Sequence, residues 1–217
     1  EGELGGERKP EPSTPGKPQP LPPTGPIEDA KPIGTGPAEV DKRAIAMVLL
    51  VDRSASMGNV VANGATKMSY AKTSALRTAL ALDQGDQVGI VTFGNKDAGR
   101  VVLPMTAATE RDTVQAGVQK LAQANENTYL LGGLRQADKL LAEVQAAVKH
   151  IVVISDGEFD RNEEPILRDL AGRLARERGI TLSVVSTVER NTDPGFREMA
   201  EDLTRQVGGK FWAVDDP

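Results

Sequence analysis

Asp52, Ser54 and Ser56 stand at alternate positions directly after an unbroken apolar run, Ala44 to Val51. A second run, Ile151 to Ile154, ends in Ser155-Asp156-Gly157. Short apolar runs of this kind read as strands buried on both faces, as in a parallel sheet covered by helices. In such sheets ligands bind outside the carboxyl ends of the strands, at the point where the strand order reverses. If these two strands are neighbours there, Asp52 and Asp156 face one crevice. Thr128, in the polar loop Asn125-Glu126-Asn127-Thr128 ahead of a helical pattern, can reach the same place. Two carboxylates, two serine hydroxyls and one threonine hydroxyl make an oxygen-only shell. That donor set suits Mg²⁺, with Mn²⁺ or Ca²⁺ as the alternatives.

The rest of the composition removes competing chemistries. The 217 residues include no cysteine and one histidine, His150. Thiolate zinc sites, iron–sulfur clusters, cysteine nucleophiles and disulfide scaffolds are therefore excluded. His150 precedes a strand pattern, so it belongs at that strand's start, away from the carboxyl end. Ser54 as a nucleophile lacks an activating base. A serine stands two residues after Asp52, so the aspartyl-phosphatase pattern fails, and no GxxxxGK[ST] loop is present. The formal net charge of -5 argues against nucleic acid as the partner. No apolar run approaches the roughly 18 residues needed to cross a bilayer, so no direct membrane insertion is expected. The chain begins with glutamate and shows no signal-peptide pattern, which reads as a segment of a longer protein.

The elements that must position these residues follow from periodicity. Residues 1–40 hold ten of the fourteen prolines and no apolar period, and are expected to be a disordered Pro/Gly-rich linker. Pro20-Leu21-Pro22-Pro23 within it is read as plain linker rather than a polyproline ligand. The folded domain is expected over 41–217. After the first strand and a polar loop, Met68 to Leu80 recurs at helical spacing, Val88 to Phe93 is a strand, and Val101 to Leu103 is a short edge strand stopped by Pro104. Helices are predicted from about Thr109 to Ala122 and from about Leu131 to Val144. Two helix–strand pairs follow the Ile151 strand: Glu163–Arg178 with Ile180–Ser186, and Pro194–Val207 with Lys210–Val214. Alternating strands and helices mean an α/β fold with a parallel sheet and helices on both faces. The link between the second and third strands is too short for a crossover helix, so that pair is antiparallel.

At these residues the chain resembles the von Willebrand factor type A family, over about Arg43 to Pro217. VLLVDRSASM is similar to that family's first strand with its metal-ion-dependent adhesion site. Asn127-Thr128 through Ala137 is similar to its threonine loop and following helix, and VVISDGE to its fourth-strand aspartate. The spacing from Lys67 to Leu82 and the close GGKFWAVDDP resemble bacterial members. Glu126-Asn127 departs from the Gly-Gly that many members carry before the threonine. The resemblance implies a doubly wound, Rossmann-like, six-stranded sheet, mainly parallel, with one antiparallel edge strand. It also implies a complete metal site in which Ser54, Ser56 and Thr128 touch the ion directly. Asp52 and Asp156 would act through water or by orienting the hydroxyls.

Three neutral hydroxyls leave most of a divalent ion's charge uncompensated, so the open position attracts a partner's Asp or Glu carboxylate. The expected function is a non-enzymatic, metal-dependent protein-binding module for adhesion or scaffolding. The alternatives are a regulatory subunit of an AAA+ or chelatase-like machine, and a metal-assisted hydrolase. Bacterial relatives with such proline-rich leaders suggest an extracytoplasmic or membrane-tethered parent protein, with a cytoplasmic setting as the alternative. The acidic cluster Glu158, Asp160, Glu163 and Glu164 lacks Ca²⁺-loop spacing and is read as a solvated helix start. Lys67 and Arg53 are read as surface charges.

Overall fold

The computed structural model describes residues 44–61, 64–96, 99–157, 159–187 and 194–213. The expected linker, residues 1–40, lies outside them. Six strands form one sheet: β1 (Ile45–Asp52), β2 (Gln87–Phe93), β3 (Arg100–Ala107), β4 (Val148–Ser155), β5 (Ile180–Ser186) and β6 (Phe211–Ala213). The order across the sheet is β3-β2-β1-β4-β5-β6. All neighbours are parallel except β2 and β3. Five helices complete the fold: α1 (Lys67–Leu80), α2 (Arg111–Gln119), α3 (Leu130–Ala142), α4 (Glu164–Arg178) and α5 (Pro194–Gln206).

The alternation of side chains along β1 sends its residues into two separate cores. Ala46, Val48 and Leu50 pack with α3, α4 and α5 on one face. Leu49 and Val51 pack with α1 and α2 on the other. Val48 through Val51 are all fully buried, which is why the strand reads as unbroken apolar sequence. The chain's four phenylalanines make one edge-to-face row on the first face. Phe93, Phe159, Phe196 and Phe211 have successive ring centroids 6.0, 4.9 and 6.3 Å apart.

Most boundaries fall within a residue or two of the sequence expectation, and three elements differ by more. β3 runs eight residues through Pro104 rather than stopping before it. The strand is an edge, and its pairing with β2 is irregular between Val88 and Val91, so the missing N–H of Pro104 interrupts no regular ladder. α2 is shorter at both ends than expected, spanning Arg111–Gln119. β4 begins at Val148, which puts His150 inside the strand. There its Nδ1 lies 2.6 Å from Thr181 Oγ1 on β5, and burial lowers its pKa below the usual histidine value.

Candidate metal centre

The strand order reverses between β1 and β4, which are paired from Ile45↔Val148 to Val51↔Ile154. Asp52 ends β1, and Asp156 follows the last residue of β4. Both carboxylates therefore emerge at the carboxyl edge of the sheet at its switch point. Asp52 is fully buried. Its Oδ1 accepts the Ser54 N–H at 2.7 Å, and its Oδ2 accepts the Ser155 hydroxyl at 2.6 Å. Burial is the main influence on its acidity and raises its pKa to about 6. The hydrogen bonds from Ser155 and Ser54 pull the other way, and the charge of Asp156 adds to the rise.

A 3₁₀ turn, Ala55–Gly58, follows and is pinned by the fully buried Met57. It brings the Ser54 and Ser56 hydroxyls to 3.1 Å from each other. Backbone bonds hang the loop that carries Thr128 beside this turn. Ala124 N–H donates to the Arg53 carbonyl at 2.8 Å, and Ala55 N–H donates to the Glu126 carbonyl at 3.0 Å. On the far side, Asp160 N–H donates to the Thr128 carbonyl at 3.2 Å. Thr128 is thus held between the turn after β1 and the loop after β4, half-buried.

Asp156 carries the clearest sign of an unmet charge requirement. Its side chain is fully buried, and its Oδ1 has no hydrogen-bond partner among the described residues. Its Oδ2 meets the Lys67 ammonium at 2.7 Å. Lys67 is therefore not the surface charge expected from sequence. It is the first residue of α1, where a cation opposes the helix dipole, and Asp156 supplies the opposite charge. Gly157 turns the chain away from the site with φ 105, and a Cβ there would come within 2.9 Å of Phe196 Cδ1.

The acidic stretch after β4 also departs from expectation. Glu163 is buried rather than solvated, and its Oε2 accepts the Leu131 N–H at 3.1 Å. It caps α3 from outside, because Tyr129 offers that helix no side-chain cap. Burial raises the Glu163 pKa, against the lowering effect of its α3 amide contacts. Glu158 lies outside the described residues. Arg53, also expected on the surface, is half-buried beside Glu126, with Nε 3.5 Å from Oε2.

The donor set is compatible with a hard cation. A buried carboxylate oxygen without a partner, a second buried carboxylate and two adjacent hydroxyls are all oxygen donors. Among the described residues no group of three or more His, Cys, Asp or Glu is placed to hold a metal ion. An ion at this edge would therefore depend on the hydroxyls. Ser155, Lys67 and Glu163 were not identified from sequence as parts of the site. Lys67 alone left a signal, as a cation at the start of a helical pattern.

Fold and site together define a doubly wound α/β domain with two buried carboxylates and two adjacent serine hydroxyls at its switch point. The profile of the von Willebrand factor type A domain matches residues 47–158, just over half of the chain. The chain belongs to that family. Similar folds occur in a von Willebrand factor type A protein from Catenulispora acidiphila (TM-score 0.64, 23% identity, covering 81% of this chain and 39% of that one). An aerotolerance-related membrane protein from Bacteroides fragilis is also similar (TM-score 0.63, 16% identity, covering 79% and 92%). So is the PilB minor pilin from Streptococcus sanguinis (TM-score 0.66, 14% identity, covering 84% and 59%). No curated protein matches the sequence.

Proposed function

We propose that this domain is a non-enzymatic binding module that captures a partner protein's Asp or Glu carboxylate through a divalent ion. The ion is Mg²⁺, with Mn²⁺ or Ca²⁺ as alternatives, held by Ser54, Ser56 and Thr128 with Asp52 and Asp156. One observation carries the reading: the buried Asp156 carboxylate has an unpartnered oxygen beside an oxygen that already holds a cation, the Lys67 ammonium. A pair of buried acids at one edge calls for positive charge beyond a single lysine. When bound, the ion supplies a Lewis-acid position for the partner's carboxylate. The chain's own residues orient it: Asp52 fixes the Ser54 backbone, and the loop bonds at Glu126 and Asp160 fix Thr128.

A binding role rather than catalysis is supported by the surroundings of Ser54. Its hydroxyl neighbour is Ser56, which is no general base. The likeness to a membrane protein and a pilin supports an extracytoplasmic or membrane-tethered setting for the parent protein. No helix among the described residues is long and apolar enough to cross a membrane.

The test is calorimetric titration of Mg²⁺, followed by partner capture with and without EDTA. Saturable Mg²⁺ binding is expected in the wild type and is expected to be lost in Asp156→Ala. Thr128→Ala is expected to keep the fold and lose metal-dependent capture. A partner retained equally in EDTA and by Thr128→Ala would show that recognition uses another surface.

A further inference from the structure

Arg53 leaves the same turn in a different direction from Ser54 and Ser56. With Arg100, Lys120 and Thr92 it lines a cavity of about 300 Å³ beside the carboxyl end of β2. A second cavity of about 260 Å³ shares Arg53, Thr92 and Arg100 and is also bounded by Glu126. The two share these three residues and together make an adjoining pair, termed the cleft, at the β2–β3 edge of the sheet. Of the charged side chains lining it, Arg53, Arg100 and Lys120 are cations and Glu126 is the acid. Among the described residues, three positive charges less one negative leave +2, in a chain whose formal net charge is -5.

Among the described residues the Arg53 side chain is paired only with Glu126, and the other two cations have no partner. Arg53 Nε is buried and forms an ion pair with Glu126 Oε2 at 3.5 Å, but makes no hydrogen bond among the described residues. The Arg100 and Lys120 side chains are exposed and make no hydrogen bond or ion pair among the described residues. Arg111, by contrast, donates to the Ala79 and Leu82 carbonyls, and Arg168 to Glu164 and Asp202. An anion entering the cavity would add charge compensation for the three cations that line it.

We propose that this cleft is a second binding site, specific for a phosphate monoester. A guanidinium presents a planar fork of donors that matches phosphate oxygens, and a lysine adds a point charge. A phosphate monoester carries about -1.5 to -2 at neutral pH, which matches the +2 of the cleft, whereas one carboxylate matches only half of it. The cavity volume leaves room for the group that bears the phosphate. That group is either a phosphorylated side chain of a partner or a small organic phosphate. The site uses none of the five residues assigned to the ion, so it stands apart from the metal reading.

The test is an NMR titration of the full chain in EDTA, following the arginine Nε–H signals. The probes are phenyl phosphate, a phosphothreonine hexapeptide, its unphosphorylated twin, and acetate at matched ionic strength. The Arg53 signal is expected to shift saturably with both phosphate esters, at an affinity at least about tenfold above that for acetate. A phosphopeptide that binds about tenfold more tightly than phenyl phosphate assigns the site to a phosphorylated partner, and equal affinities assign it to a small ester. The double substitution Arg100→Gln, Lys120→Gln is expected to weaken ester binding at least about tenfold. Both residues are exposed, and an unchanged melting midpoint will verify the fold. Thr128→Ala is expected to leave ester binding unchanged. Ester binding no tighter than acetate, or ester affinity retained in the double variant, overturns the proposal.

Discussion

The Lys67–Asp156 pair sets what the site costs without metal. Removing the lysine would leave a fully buried carboxylate with no partner on either oxygen. Lys67→Met is therefore expected to destabilise the metal-free protein by about 1–3 kcal/mol. It should also enlarge the rise in melting midpoint on adding Mg²⁺, because the ion would then supply all the compensation. Calorimetric melting of both proteins in EDTA and in Mg²⁺ checks this, and an unchanged Mg²⁺ response would separate Lys67 from the metal. Asp52 gives a pH signature. Its folded pKa is raised from 3.8 to about 6, so the native state holds the proton more tightly than the unfolded chain. Its contribution is fully present below about pH 4 and is lost as pH rises through about 6, on the order of 3 kcal/mol. Buried Glu163 acts in the same sense, and His150, whose pKa is lowered, in the opposite sense. Asp52→Asn is expected to remove the Asp52 part of the slope, as read from melting midpoints between pH 4 and 7.5 in EDTA. The strand-end position of Asp52, Ser54, Ser56 and Asp156 was legible because all four sit at the close of apolar runs. Lys67 and Ser155 were not, since their partners lie 89 and 103 residues away, and no local pattern encodes such pairs.

At the scale of elements, the loop bearing Thr128 is only as well placed as the helix that follows it. α3 starts two residues later, and its Leu131 amide is capped by Glu163. Glu163→Ala is expected to cost about 1–2 kcal/mol, and Glu163→Gln, which keeps an acceptor oxygen, to recover most of it. If the cap positions Thr128, Mg²⁺ affinity should fall in the alanine variant and return in the glutamine variant. The same helix seats itself on the sheet through Gly133, where a Cβ would lie 2.7 Å from Phe93 Cβ and 2.8 Å from Leu50 Cδ1. Gly133→Ala is expected to destabilise by about 1–3 kcal/mol despite the better helix propensity of alanine, seen as a midpoint lowered by roughly 2–10 °C. The helices and parallel strands were legible because both periods are strong in this sequence. β3 was underestimated because a proline counts as a stop unless its place at a sheet edge is known. The acidic stretch at α4 was misjudged because Glu163 caps a different helix, 32 residues earlier in the chain.

At the scale of the whole molecule, the described chain enters the sheet at the end of β1 opposite the candidate metal centre. The described chain begins at Ala44, whose carbonyl accepts the Val148 N–H at 3.1 Å beside the amino end of the sheet. The site lies past the carboxyl end of the same strand, eight residues on, roughly 26 Å at ordinary strand rise. The proline-dense residues 1–40 have no apolar period with which to extend either core. Among the described residues, the buried members of the two clusters come from 46–207. Deletion of residues 1–40 is expected to leave the melting midpoint within about 1 °C, since unfolding cost scales with buried surface. The Mg²⁺-induced rise should also be unchanged. Limited proteolysis followed by calorimetry of the trimmed domain measures both at once. A midpoint lowered by several degrees would show that the leader packs on the domain, and a changed Mg²⁺ response alone would show that it reaches the site.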